Sequence, residues 1–199
     1  MASGRANTRD IARAAVRSQL AEVAFEMFRR EGFENVTVTD LANAAEVSRS
    51  TFLRYFGTKE DAVLYALDAQ GETVADALRE RPSGEDDWTA LRRALDVAIG
   101  QYRHEPAEAL AVTRLVRETP ALCARRLEKQ QGWQVALGRA LADRSGLDGQ
   151  GADALEANVR AAAALDCLNI ALDHWTASDG KSDLEALLDR AFGALAPGT

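Results

Sequence analysis

The sequence predicts an all-α protein of about nine helices, with a helix-turn-helix in residues 1–60 and a larger helical body in residues 61–199. Three observations predict it. Hydroxyl residues stand three positions ahead of a second polar residue at Thr37 and Asp40, Ser48 and Thr51, and Thr58 and Asp61; each can accept a hydrogen bond from a free first-turn N–H. Apolar residues recur at spacings of three and four, and no stretch has the alternation or β-branched density of a strand. Breakers at 82–84, 105–106, 119–120, 145–146 and 178–180 cut the rest of the chain into helix-sized blocks.

A first helix is expected over 7–31, where Leu20, Val23, Ala24, Met27 and Phe28 share one face and Gly32 stands at the C-terminal stop. Three capped segments follow at 38–45, 49–56 and 59–80. The first two are joined by the turn Glu46-Val47, with Gly57 as the second stop, and two short helices across so tight a turn make a helix-turn-helix. Phe52 and Phe56, four residues apart, are candidates for its core with Leu41, Val47 and Leu53. Five further blocks complete the chain, the last two at 153–177 and 182–195.

With 47% apolar and 28% charged residues, the composition is that of a folded globular protein and excludes a disordered one. The net charge of -7 is unevenly spread. Residues 1–60 hold nine Lys or Arg against eight acids, whereas 61–199 hold fifteen against twenty-three. An acidic body is repelled by phosphate, while the arginines of the first segment can be turned toward it. No apolar run approaches the roughly 18 residues that span a bilayer, and the arginine-rich start lacks a signal-type apolar block, so a cytoplasmic location and no membrane partner are expected. Cys123 and Cys167 have no metal-type or redox-type spacing and are expected as small hydrophobes. His104 and His174 are the only histidines, and no phosphate loop or paired metal-ligand spacing accompanies them. No enzyme, cofactor or metal is therefore expected.

The stretch from Gly32-Phe33-Glu34-Asn35-Val36-Thr37 through Val47-Ser48 and on to Tyr55-Phe56-Gly57-Thr58-Lys59-Glu60-Asp61 closely resembles the DNA-binding domain of the TetR family of transcriptional regulators. Around Arg114-Leu115-Val116-Arg117-Glu118-Thr119-Pro120 the chain more loosely resembles an actinobacterial, mycofactocin-type subgroup. The sequence departs from the family pattern at Glu46 and Ser50, where glycine is common, and at Leu53, often tyrosine. A side chain in a left-handed turn costs about 1 kcal/mol, so tolerated strain is expected at Glu46. The resemblance implies a homodimeric repressor that binds double-stranded DNA at a palindromic operator and is released by a small ligand.

In such a motif the second helix lies in the major groove with its N-terminal residues toward the bases, here Ser48, Arg49, Ser50 and Thr51. Arg49 is the candidate for reading sequence, since its fork can donate twice to guanine at about 1–3 kcal/mol of discrimination; the alternative is a phosphate contact. Thr37, Thr39, Arg54, Tyr55 and Lys59 are candidates for phosphate contacts, which set register. Arg5, Arg9, Arg13 and Arg17 recur every four residues as one stripe, of which Arg17 is the strongest candidate.

The body gives fewer signals. The resemblance implies a ligand pocket, for which Tyr65, Trp88, Tyr102, Arg114, Trp133, Asp166 and Asn169 are candidates, set among Leu- and Ala-rich blocks and suiting a small hydrophobic or amphipathic ligand. Isolated tryptophans more often fill cores than pockets, and Arg114 or Arg117 can pair with a buried Asp166. The resemblance also places a dimer interface on the last two helices, with Leu165, Leu168, Leu172 and Trp175 on one strip and Leu184, Leu187, Leu188, Ala191 and Leu195 on another; the Ala161 to Ala164 run permits close approach. The same strips can instead fill the core of a single chain.

Overall fold

The structure, a computed structural model, describes residues 8–145 and 152–195; among these it has eleven α-helices, one 3-10 turn and no strand. The chain divides after Tyr65 into two compact units.

The first unit runs α1 (Thr8–Glu31), a 3-10 turn (Phe33–Asn35), α2 (Val38–Ala44), α3 (Arg49–Tyr55) and α4 (Lys59–Val63). Gly32 ends α1 in the left-handed region, φ 84°, where a residue without Cβ is unstrained. All three expected caps form: Thr37, Ser48 and Thr58 side chains accept from the N–H of Asp40, Thr51 and Asp61. The core is Leu20, Ala24, Met27 and Phe28 of α1 packed on Phe33, Val36, Leu41, Phe52, Phe56 and Ala62. Phe52 and Phe56 stack at 5.4 Å, and Phe28 and Phe33 at 4.9 Å. Val47 and Leu53, also expected in the core, are only half-buried. At Gly57 no left-handed stop occurs: α3 ends through extended Phe56, φ -132°.

The second unit runs α5 (Leu67–Arg79), α6 (Asp87–Ala94), α7 (Asp96–His104), α8 (Pro106–Glu118), α9 (Pro120–Ser145), α10 (Ala152–Ala177) and α11 (Leu184–Ala194). Two expected helices are each divided. The 59–80 segment breaks at 64–66 because its sides serve different cores: Leu64 is buried and Tyr65 packs on Phe56, whereas the Leu67 carbonyl accepts from Trp133 Nε1 at 3.1 Å. The 85–104 block breaks at fully buried Leu95, whose carbonyl accepts from both Ala98 and Ile99 N–H at 3.0 and 3.1 Å, a local tightening. Pro106 and Pro120 each open a helix at its first position, where the missing N–H has no intrahelical role.

The dimer strips serve the core of the single chain. Leu165, Leu168, Trp175, Leu184 and Leu188 are buried there with Ala161 and Ala164, Leu172 is half-buried, and only Leu195 is exposed. The reason is that α10 carries apolar residues on its outward as well as its inward side, so a strip does not reveal which side faces inward. Its outward face instead carries Leu155, Val159 and Ile170, each more than half exposed, with half-buried Ala162 and Ala163 between them. Long-range arginines tie the unit together. Arg144, 6% exposed, donates to the carbonyls of Leu78, Arg81, Pro82 and Glu85 and so caps the end of α5. Arg92 joins Asp96 of α7 to Asp189 of α11 at 2.6 and 2.5 Å.

Candidate nucleic-acid interface

The turn between α2 and α3 is built from local bonds. Val47 N–H donates to the Ala42 carbonyl at 2.9 Å and Glu46 N–H to that of Asn43 at 3.1 Å, the two reversed bonds that close a helix when the residue beyond its cap is left-handed. Glu46 is that residue, φ 54°, so the strain expected at this side chain is present.

The caps on either side are polar and tight. Thr37 and Asp40 bond reciprocally: Asp40 N–H donates to Thr37 Oγ1 at 3.2 Å, and Thr37 N–H and O–H donate to Asp40 Oδ2 at 2.9 and 2.5 Å. The Thr37 hydroxyl, and then its N–H, hold the Asp40 carboxyl below the usual carboxylate range. Ser48 Oγ accepts from Thr51 N–H at 3.1 Å and lies 2.9 Å from the hydroxyl oxygens of both Ser50 and Thr51. It fixes the start of α3 and orients its neighbours.

What α3 presents is cationic and donor-rich. It buries Phe52, exposes Arg49, Ser50 and Arg54, half-buries Thr51 and Tyr55, and carries no carboxylate. Thr37 and Thr39 are exposed at the start of α2. The Tyr55 ring lies between two cations, the Arg54 guanidinium at 5.8 Å and that of Arg13 at 6.0 Å. Two expected phosphate residues turn inward instead. Arg17 lies over the Phe56 ring at 5.2 Å and the Tyr65 ring at 6.0 Å. Lys59 Nζ donates to the Phe33 and Val36 carbonyls at 2.7 and 3.2 Å and sits 4.2 Å from the Phe33 ring. Lys59 thus ties the start of α4 to the segment entering α2. Four-residue spacing puts Arg13 and Arg17 on one face of α1, and their places along it decide that Arg13 reaches Tyr55 while Arg17 reaches Phe56 and Tyr65. Arg9 is exposed, and Arg5 lies outside the described residues.

The residues expected around a ligand do not converge as a group. Tyr65 belongs to the first unit, its hydroxyl 3.2 Å from Ser18 Oγ. Trp88 packs on Phe192 at 4.4 Å and donates to its carbonyl at 3.1 Å, fastening α6 to α11. Trp133 is a core residue, 5% exposed, its ring seated where a Cβ on Gly71 would stand. Arg114 pairs with Asp179 and Arg117 with Asp173, while Asp166 faces outward and is exposed, so the expected buried pair with Asp166 does not form. Tyr102 and Asn169 remain at one corner. Tyr102 meets Trp175 edge-on at 5.4 Å, and Asn169 is bonded to Arg126 and Gln130 of α9, residues the sequence did not single out. Their signal, two polar residues one turn apart on an inward face, is visible only once that face is known.

Among the described residues no group of His, Cys, Asp and Glu could hold a metal, and no helix is long and apolar enough to cross a membrane. Cys123 and Cys167 are free thiols, Cys167 buried. Residues 20–66 match the bacterial regulatory proteins of the tetR family, and residues 85–199 match the MftR C-terminal domain. The HTH-type transcriptional regulator TcmR of Streptomyces glaucescens is 36% identical over 138 residues, 66% of this chain and 61% of that protein. A Mycobacterium tuberculosis protein named as a mycofactocin biosynthesis transcriptional regulator, MftR, is 30% identical over 177 residues, 84% of this chain and 83% of its own. In fold the chain is similar to the fatty acid degradation regulator FadR of Bacillus halodurans (TM-score 0.59, 21% identity, 92% of this chain, 95% of that one). It is similar too to FadR of Bacillus subtilis in complex with stearoyl-CoA (TM-score 0.59, 20% identity, 91% and 98%).

Proposed function

The chain belongs to the TetR family of bacterial regulatory proteins, and on that premise we propose that it is a ligand-responsive repressor that binds a palindromic operator as a homodimer. The observation that carries this reading is the outward face of α3, where Arg49, Ser50 and Arg54 are exposed on a capped helix free of carboxylates. Arg49, at the first position of α3, donates its fork to a guanine edge; Ser48, Ser50 and Thr51 shape the contact around it. Thr37, Thr39, Arg54 and Tyr55 bind phosphate and set register, with Arg13 joining them beside Tyr55. Arg17 and Lys59 act through position, by holding α1 and α4 against the motif.

A helix as short as α3 spans few base pairs, and two-fold symmetry doubles the site. The second copy is proposed to cover the outward face of α10, where a single chain leaves Leu155, Val159 and Ile170 exposed around half-buried Ala163. The second unit acts as the ligand-binding and dimerisation domain, and the ligand favours a dimer whose recognition helices no longer fit successive grooves. A gel-shift titration against competitor DNA tests the reading. Binding concentrates on one two-fold-symmetric sequence and weakens with salt by about 0.9 log unit per neutralised phosphate per log unit of salt. Equal affinity for competitor and symmetric site contradicts it.

A further inference from the structure

The strongest unexplained feature of the second unit is a cation with no counter-charge among the described residues. The Arg126 guanidinium, half-buried on α9, donates to Asn169 Oδ1 at 2.6 Å and to Gln130 Oε1 at 3.3 Å, both neutral amide oxygens. The two amides are locked to each other, Gln130 Nε2 donating to Asn169 Oδ1 at 2.9 Å and Asn169 Nδ2 to Gln130 Oε1 at 3.2 Å. The more deeply buried arginines of the unit, Arg92 and Arg144, have carboxylates near them. No carboxylate among the described residues pairs with Arg126. A half-buried charge held by neutral groups alone has lost solvation without Coulombic return.

The surroundings say what could supply the return. Leu122, one turn before Arg126, is fully buried, and Leu165 and Leu168 line α10 beside Asn169. Tyr102 of α7 reaches the same corner: burial pushes its phenol pKa up, and the charge of Arg126 is near enough to oppose that rise. Over the corner lies α8, which buries Val116 and leaves Ala109, Leu110, Val112 and Leu115 partly exposed. The corner therefore combines one fixed guanidinium with an incompletely covered apolar wall.

We propose that Arg126, fixed by Gln130 and Asn169, anchors the anionic head of an amphipathic small molecule whose apolar part lies against α8. This rests on the ligand-responsive reading above and names the chemistry of its ligand. A planar guanidinium binds a carboxylate or a phosphate with two parallel hydrogen bonds. The amides leave its remaining N–H groups for that purpose and keep the fork from collapsing.

The test titrates decanoate, decyl phosphate and decanol, which share an alkyl chain, into the full-length protein, followed by calorimetry. The expected result is that at least one anion binds about tenfold or more tighter than decanol, the effect of a charge-assisted hydrogen bond. Arg126→Gln brings that preference to parity, whereas the neighbouring Arg125→Gln, whose partner is the exposed Glu128, retains it. Whichever anion is preferred identifies the head group as carboxylate or phosphate. If Arg126→Gln also loses decanol, Asn169→Leu decides: it must lower the anion preference while decanol still binds. The proposal is overturned if no probe binds, if decanol binds as tightly as both anions, or if the preference survives both variants. Operator affinity, measured separately, keeps the two readings apart. An anion that binds by this preference yet leaves DNA affinity unchanged refutes ligand response but not the anchor; decanol releasing DNA as well as decanoate refutes the anchor alone.

Discussion

The devices that shape the two units reach over different distances, although Lys59 of the first bonds carbonyls 26 and 23 positions back and Asp86 and Asp183 of the second cap their helices locally. In the first, Thr37, Ser48 and Thr58 each bond a residue three positions ahead, and the left-handed turn at Glu46 is closed by the backbone of α2 itself. In the second, the work is done across the chain. Arg144 reaches carbonyls some sixty positions back, Arg92 reaches Asp189, and Arg126 reaches Asn169. Local devices are each worth about 1 kcal/mol and can be changed singly. A buried arginine serving several acceptors cannot, because its removal breaks several bonds at once and leaves some of those acceptors without a donor.

The largest effect is therefore expected in the second unit. Arg144→Ala removes four hydrogen bonds and leaves the Arg81 and Glu85 carbonyls without this donor, while those of Leu78 and Pro82 keep the Arg81 and Glu85 N–H; it should cost about 3 kcal/mol in urea unfolding, and a loss under about 1 kcal/mol would erase the contrast between the units. Next is the close approach of α5 and α9. A Cβ on Gly71 would stand 2.5 Å from Trp133 Cδ1, whereas one on Gly132 meets nothing within 4 Å. Gly71→Ala should cost about 1–3 kcal/mol and shift the tryptophan emission, while Gly132→Ala should stabilise by about 0.5–1 kcal/mol. Like signs for the two would mean that helix propensity, not contact, governs here.

In the first unit, Glu46→Gly relieves the left-handed strain and should add up to about 1 kcal/mol without changing DNA preference. The smallest effect is on pH dependence. The carboxyl of Asp40 is lowered by the Thr37 hydroxyl and N–H, so its contribution is present above the usual carboxylate range and is lost as pH falls through the lowered value. Thermal unfolding followed at decreasing pH should show Asp40→Asn less sensitive to acid than the parent. Equal acid sensitivity would remove Asp40 from the account.

The same contrast explains what was legible. Caps, the Gly32 stop, the strained turn and the inward Phe52 and Phe56 were visible because each depends on neighbours in sequence. Arg13 beside Tyr55 was not singled out, since that needs the placement of α1 along α3. On α10, Leu165 and Leu168 resembled an interface and are core, while Leu155 and Ile170 face out; both sets are apolar at helical spacing, and only tertiary packing separates them. Trp133 fell to the core and Asp166 to the surface for the same reason. Arg126 and Gln130 gave no local signal at all.

The central claim is that the exposed face of α3 selects sequence through Arg49. Selection from random duplex DNA, run in parallel on the wild-type chain and on Arg49→Ala, tests it most directly. The account predicts that the wild type enriches one two-fold-symmetric site and that Arg49→Ala still binds but loses preference at one base pair of each half-site, worth about 1–3 kcal/mol there. An unchanged preference in Arg49→Ala, or no enriched sequence for the wild type, would contradict it.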